Sequence, residues 1–455
     1  MRLASLLGPD IKQVLKEDPD QVRALFDEIH AEDLADIISE LEPDEAAALL
    51  ERLPAEEAAD IFERLEDHEQ ENLVLSMPPE SVAHIASEME TDERADLFSA
   101  LSDEVGDKLL ATLQKVDPEA AEEVREIEKW ADTAAGHLMT TSYVTVSPKM
   151  TVADALAAVR TRAKENDEFV YNAYVLDGET LVGVTSVRDL IVHEPGDKID
   201  DIMRTNIISA LPTLDQEDVA RKMAKYDLNA MPVVDENGHI LGVITVDDVI
   251  DVLVREQTED VQRIGGVEPL EVSYFQTSFV SFIKKRAIWL IVLFFGGFFT
   301  STALKHYDPV LDAIASVQYY IPLLISAGGN SGSQSSTLVI RGLALGEIRI
   351  EDWWRVLGRE LSMGFALGAI LGGIGFVRAL ILDKDVLFAS TVGVTLVAIA
   401  VTGCTVGSMI PIVLKRVGLD PATSSTPFIA SLVDVLGIVV FMEIAQIIMA
   451  HAFVH

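Results

Sequence analysis

The chain is 455 residues long and carries 74 acidic against 35 basic residues, a formal charge of −39, and its length leaves room for about three domains at roughly 150 residues each. Residues 1–270 hold 62 acids and 23 bases, whereas residues 271–455 hold 12 of each and are strongly apolar. A single cysteine, Cys404, excludes intrachain disulfides and cysteine-based zinc sites, and no HExxH motif offers paired imidazoles to a transition metal. An acidic soluble half joined to a neutral, lipid-compatible half points to a cation-attracting device acting on something in a membrane; salt adaptation or solubility is the plain alternative.

The first twenty residues hold no apolar run long enough for a secretory signal, so the acidic half is expected in the cytosol. From residue 30 to 113 a twelve-residue period sets in, with apolar register at Leu41, Leu53, Leu65, Met77, Met89, Leu101 and Leu113. HAEDLADIISEL, EPDEAAALLERL, PAEEAADIFERL and ETDERADLFSAL are variants of one short helix and turn, which predicts an all-α solenoid over residues 1–130. Protein binding is the default use of such an array. Residues 131–253 contain a second duplication. LVGVTSVRDLI (181–191) returns as ILGVITVDDVI (240–250), each after an alternating strand pattern and before a helix, and His137-Leu138-Met139-Thr140 corresponds to Asp201-Ile202-Met203-Arg204. This α/β pattern resembles a tandem CBS pair, a module that regulates enzymes as well as channels. A connecting helix over 247–270 then carries Asp247, Asp248, Asp251, Glu256, Glu259 and Asp260 toward the apolar half. Acids so spaced repel by a few tenths of a kcal/mol per pair unless cations intervene, or simply form a solvated face.

In residues 271–455, charge-poor stretches at 287–304, 313–340, 361–377, 386–414 and 421–442 predict a transmembrane domain of five helices. Lys284-Lys285-Arg286, Arg341 to Arg359, and Lys415-Arg416 fall on one side of that arrangement, which makes it the cytosolic side and points the C-terminus outward. Within span two, GGNSGSQSST (328–337) is too polar to face lipid; it lines either a helix interface or a water-filled path. In span five, Asp434 is an acid in mid-membrane, costing about 2.5–3.5 kcal/mol even on the lenient insertion scale, with no Lys or Arg at comparable depth. A cation is its natural counter-charge; a hydrogen bond to a neighbouring helix is the bland reading. Glu443, nine residues on, falls on the opposite face and is expected near the outer interface. One acid per chain is thin for a cation pore, and a homodimer with the pore on its two-fold axis would supply two. Oxygen-only donors favour a hard ion such as Mg2+ or Ca2+.

Taken in order, acidic solenoid, CBS pair, acidic helix and five spans with GGNSGSQSS and an Asp in the fifth, the chain resembles the MgtE family of magnesium channels over essentially its whole length. The resemblance implies a homodimeric, non-enzymatic Mg2+ channel in the cell membrane whose cytosolic domains close the pore at high internal Mg2+. It implies a pore formed by Asp434, the Ala430 backbone and Asn330. It maps sensor ligands to Asp60, Asp92 and Asp96 in the solenoid, Asp215, Glu217 and Asp227 in the second CBS unit, and Asp248, Asp251, Glu256, Glu259 and Asp260 on the connecting helix. Tyr171, Arg188 and Asp189 match positions that bind ATP, a regulatory ligand. Ser333 departs from the family pattern, where a second Asn is common. Two alternatives stand beside this: a sodium-coupled Mg2+ exchanger, and a membrane-anchored CBS sensor that binds a partner.

Overall fold

The computed structural model describes residues 29–165, 170–270, 274–275, 277–314 and 316–449. The start on which the expectation of a cytosolic, unexported half rests, residues 1–28, lies outside them. The chain divides into two units, Met1–Val254 and Arg255–His455.

The twelve-residue period becomes helices of fixed spacing. The helices α1 (Ala31–Ile38), α2 (Pro43–Leu50), α3 (Ala55–Phe62), α4 (Asp67–Ser76), α5 (Pro79–Glu88), α6 (Thr91–Ala100) and α7 (Asp103–Val116) begin one repeat apart, and α8 (Pro118–Ile127) closes the stack. Acids crowd the first turn of each repeat helix, where they meet the positive end of the helix dipole. Proline enters at the first or second position of α2, α5 and α8, where its missing N–H costs nothing. Each helix packs on the next but one, so odd and even helices form two layers around one core. The register residues Leu41, Leu65, Met77, Met89, Leu101 and Leu113 are buried in that core and Leu53 packs against it.

The CBS pair follows as β1 (Val144–Val146), α9 (Val152–Glu165), β2 (Asn172–Asp177), β3 (Thr180–Ser186) and α10 (Val187–Val192), then α11 (Ile199–Ile202), α12 (Gln216–Tyr226), β4 (Ala230–Val234), β5 (Ile240–Thr245) and α13 (Val246–Ile264). In the first sheet β1 runs parallel to β2 and β2 antiparallel to β3; β4 and β5 form the antiparallel second sheet. The matched tetrapeptides explain how the two units join. Arg204 bridges to Val184, while Thr140 bridges to Val243, so the segment ahead of unit one is paired with unit two. Two glycines make this exchange possible. A Cβ on Gly183 would lie 2.5 Å from Met203 Sδ, and one on Gly242 would lie 2.7 Å from Met139 Cγ and 2.8 Å from the Thr140 carbonyl oxygen. Each unit thus closes its core with a methionine donated from outside its own sheet.

In the second unit, α14 (Phe279–His306) and the short α15 (Asp308–Ala313) lead into α16 (Val317–Ala344), α17 (Trp353–Asp383), α18 (Val386–Arg416) and α19 (Thr426–Ile448). Among the described residues four segments are long and apolar enough to cross a membrane: α14, Ile350–Asp383, α18 and α19. The remaining expected span, α16, matches α14 at 28 residues, but its polar run lowers its apolarity below theirs. Spans one and three are longer than their uncharged stretches because the helices continue through Lys284–Arg286 and through Arg355, Arg359 and Glu360. Glu360 is satisfied there, accepting from Ser335 Oγ at 2.6 Å.

Glycine sets how closely these helices approach. Gly364, Gly368 and Gly372 place one bare backbone stripe of α17 against α18: Cβ atoms there would lie 2.8, 2.8 and 2.6 Å from backbone atoms of Val401, Val397 and Gly393. Gly403 and Gly407 of α18 meet Gly328 and Gly332 of α16 in the same way. With no hydrophobic drive between helices in lipid, such close contact supplies the packing energy. The two ends of the bundle are tied separately. At one end Lys415 Nζ donates to the Leu343 carbonyl at 3.0 Å; at the other Tyr307 Oη donates to Glu443 at 2.7 Å and Tyr320 Oη to Asp383 at 2.6 Å. Glu443 thus sits at the end away from the basic loops.

Candidate ion path and acidic sensor sites

The polar run of α16 splits into two faces. Gly328, Ser331, Gly332, Ser335 and Ser336 are buried against neighbouring helices, whereas Ser326, Asn330, Gln334 and Thr337, at intervals of three and four residues, are exposed. The buried face matches the helix-interface reading of the run, and the exposed face carries the polar side chains that the water-filled-path reading requires. Asn330 Nδ2 donates to Ser326 Oγ at 3.4 Å, and Ser333 Oγ donates to the Thr426 carbonyl at 3.4 Å, which draws the polar side of α16 toward α19. Gly329 is the point of contact: a Cβ there would be 3.4 Å from Ala430 Cβ and 3.5 Å from Asp434 Oδ1. Ala430 and Asp434, one turn apart, present one face of α19 to this place. Asp434 is part-exposed and makes no hydrogen bond or ion pair among the described residues. Asp434 and Ala430 are thus brought against Gly329, the residue that precedes Asn330, and Asp434 has no counter-charge there among the described residues.

In the first unit the acids gather around Glu93 and Glu63, two residues the sequence did not single out. Glu93 of α6 is pushed well above the ordinary carboxylate range by burial, and then by Asp96, Glu63, Asp248 and Glu90. Glu63 is raised to about 7 by burial although its carboxylate accepts from the Glu90 N–H at 2.6 Å. Asp248 is raised to about 6, again chiefly by burial, with Thr245 Oγ1 donating to it at 2.5 Å. Beside them opens a cleft of about 320 Å3 lined by Glu56, Asp60, Glu63, Glu90 and Glu119, with Arg94 buried at its wall. Glu93 and Glu63 escaped sequence reasoning because every twelve-residue unit carries acids, and periodicity cannot say which ones burial gathers.

Of the mapped residues, Asp60, Asp96 and Asp248 belong to this acidic region, whereas those of the second CBS unit and of α13 beyond Asp248 are spread along their own helices. Asp60 pairs with Arg64, Asp92 is buried on α6, and Asp96 Oδ1 lies 2.9 Å from His137 Nε2. Asp215 caps α12 by accepting from the Glu217 N–H, Glu217 pairs with Arg221 at 2.8 Å, and Asp227 ends the same helix in a left-handed conformation. Eleven residues at about 1.5 Å each separate those two ends. Asp251, Glu256, Glu259 and Asp260 follow along α13, where Glu259 pairs with Arg263. Among the described residues no three His, Cys, Asp or Glu side chains stand close enough to hold a metal ion directly.

The backbone sets Tyr171 beside the start of α10, which carries Arg188 and Asp189: the Val187 N–H donates to the Tyr171 carbonyl, and Asp189 lies 3.5 Å from Arg204. The duplication places Asp189 and Asp248 at equivalent positions, each on the first turn of the helix after its strand. One unit offers a base and an acid there, Arg188-Asp189; the other offers two acids, Asp247-Asp248.

The raised acids carry a pH signature. Their folded values lie above that of a free carboxylate, so the proton is held more tightly in the folded state. The stability that Glu63 and Asp248 contribute is therefore fully present below about pH 4 and is lost as pH rises through about 6 to 7 in metal-free buffer. Glu63→Gln keeps an acceptor for the Glu90 N–H and removes the charge. Its melting temperature is expected to exceed the parent's at pH 8 and equal it near pH 4.5; an equal shift at both would mean that packing, not ionisation, is responsible.

Comparison with known proteins agrees with this layout. Residues 29–133 match the profile of the MgtE intracellular N domain, 135–195 and 199–255 match CBS domains, and 321–444 match the MgtE divalent cation transporter domain. The chain is 39% identical over 335 residues to the magnesium transporter MgtE of Thermus thermophilus, covering 73% of this chain and 74% of that one. It is 32% identical to the magnesium transporter MgtE of Bacillus subtilis, covering 75% and 74%. Among solved structures it resembles the soluble part of a magnesium transporter, at TM-score 0.52 and 34% identity over 56% of this chain and 99% of that one. It also resembles the cytosolic domain of the Mg2+ channel MgtE in complex with ATP, at TM-score 0.51 and 36% identity over 54% and 100%. On these matches, which cover the acidic repeats, the CBS pair and the helical domain holding Asn330 and Asp434, the chain belongs to the MgtE family of magnesium transporters.

Proposed function

We propose that this transporter is a homodimeric channel that carries Mg2+ into the cytosol and closes when cytosolic Mg2+ occupies its acidic half. The observation that carries the reading is Asp434, a carboxylate with no hydrogen bond or ion pair among the described residues, on a membrane helix that meets the polar run of α16 at Gly329. Two copies facing across a two-fold axis would give a divalent ion two carboxylates, with Asn330 and Ala430 contacting its water shell. Mg2+ gives up water reluctantly, so contact through retained water suits both this polar run and the acids around Glu93, which are near one another without forming a direct cage. Asp60, Asp92, Asp96 and Asp248 lie in or beside that acidic region; Asp215, Glu217, Asp227, Asp251, Glu256 and Asp260 would act across the dimer or along α13. ATP, present in the related cytosolic domain, is assigned to Tyr171, Arg188 and Asp189 as a second regulator.

Domain limits of 1–130, 131–253, 247–270 and 271–455, with five spans, the soluble half inside and the C-terminus outside, complete the proposal. The joint carrying Lys415 and Leu343 at one end of the bundle supports this sidedness. Inward flow needs no ATPase: 100 mV supplies about 4.6 kcal/mol per divalent ion, twice the single-charge value. The test is Mg2+ uptake into proteoliposomes under an imposed potassium diffusion potential. Uptake that follows the potential and ignores a sodium gradient supports a channel; reversal of flux by sodium would show an exchanger.

A further inference from the structure

Arg263, in the last turn of α13, is ion-paired with Glu259 on its own helix and with Asp420, a residue 157 positions away in sequence. Asp420 is firmly placed. Its Oδ1 accepts from the Ala422 N–H at 2.8 Å and its carbonyl from Thr423 Oγ1 at 2.6 Å, which builds the 3-10 turn Pro421–Thr423 ahead of α19. A second contact lies beside it. Gly266, at φ +73°, lets the chain turn against the start of α19, where a Cβ would lie 3.3 Å from Pro427 Cγ and 3.4 Å from Ser425 Oγ. Ser425 is the N-cap of α19, its hydroxyl accepting from the Phe428 N–H. The chain beyond is held as well: the Leu270 N–H donates to Gln262 Oε1 at 2.7 Å, and Lys285 Nζ donates to the Pro269 carbonyl. The acidic helix therefore ends fastened to the N-terminus of the span whose third turn carries Asp434.

We propose that Arg263 is a positioning residue for gating, a tethered cation that joins Glu259 to Asp420 and transmits movement of the acidic helix to α19. The proposal rests on the gated-channel reading above. It reassigns Glu259 from Mg2+ ligand to latch, since a guanidinium already holds its carboxylate. A guanidinium suits the task because its fixed fork can engage two carboxylates directionally, whatever the Mg2+ concentration. Both pairs are about one-third exposed at 33% for each side chain, too open to contribute much to folding stability. Their use is in coupling: Mg2+ bound elsewhere on the acidic half can close the pore only as far as its effect reaches α19.

The test is single-channel recording from the full-length protein in planar bilayers with Mg2+ stepped on the cytosolic face. Arg263→Gln is expected to raise the half-closing Mg2+ concentration at least about fivefold, the low end of measured couplings between sites, with unitary current unchanged. Arg263→Lys, which keeps charge but loses the fork, should fall between, and it serves should Arg263→Gln fail to assemble by size exclusion. Arg263→Asp combined with Asp420→Arg is expected to return the half-closing concentration to within about twofold of the parent. A parent that closes while Arg263→Gln closes at the same Mg2+ overturns the proposal alone, as does a charge swap no better than its single components. A parent that never closes with Mg2+ overturns the gated reading and this proposal with it.

Discussion

Asp434→Ala is expected to reduce Mg2+ flux at least about a hundredfold while leaving the protein assembled. At 4 Å and an effective dielectric of about 20, a divalent ion and a carboxylate attract by about 8 kcal/mol, twice the figure for unit charges. Partial loss of the ion's hydration offsets much of this, yet a remainder of about 3 kcal/mol already gives a hundredfold change. Neither Glu443 nor Glu360 is placed to substitute, since Glu443 is committed to Tyr307 at the far end of the bundle and Glu360 to Ser335. Removing the charge also spares the cost of holding it in the membrane, so the variant should elute and melt like the parent or better. Normal flux from well-folded Asp434→Ala protein would place the ion path elsewhere.

Gly407→Ala is expected to disrupt the membrane unit. A Cβ there would lie 2.1 Å from the Gly332 carbonyl oxygen, 2.8 Å from its carbonyl carbon and 2.9 Å from its Cα. All three atoms are backbone, so relief requires α16 and α18 to separate. That separation would spread to the Gly328 and Gly403 contact one turn away and to the side of α16 that meets Asp434. Overpacking of this kind typically costs about 1–3 kcal/mol and more when backbone must move; the upper end or beyond is expected here. Gly373→Ala is the matched control, because nothing lies within 4 Å of its Cβ position. In detergent, Gly407→Ala should melt well below the parent and Gly373→Ala at or slightly above it. Parent-like melting of Gly407→Ala would mean the two helices pack less tightly than described.

Much of this architecture could be read from the sequence because it is periodic or repeated. A helix and turn of twelve residues has one stable phase, so the register from Leu41 to Leu113 foretold both helix starts and core. The matching LVGV and ILGV segments foretold the CBS pair, but not which methionine closes which sheet: Met139 and Met203 match equally well, and only the fold shows Met139 against Gly242. Span two stood out less in hydropathy than its neighbours because of its polar run, and only the fold shows that half of that run is buried against glycine-lined helices. The glycines at 364, 368 and 372 carry a visible four-residue spacing that went unused, since bare backbone against bare backbone is a tertiary fact. Asp434 was legible because an acid among apolar residues is costly wherever it points. Glu93, Glu63 and the Arg263–Asp420 pair were not, because their meaning depends on partners brought from distant parts of the chain.

The claim that cytosolic Mg2+ closes the pore through the acidic half stands or falls on one comparison. Single-channel currents should be recorded from the full chain and from a chain lacking residues 1–270, with Mg2+ on the cytosolic face raised from micromolar to millimolar. The full chain is expected to close, and the truncated chain to conduct with the same unitary current and stay open throughout. A truncated channel that closes over the same Mg2+ range would put the sensor within the membrane unit and contradict the role assigned to the solenoid, the CBS pair and their acids.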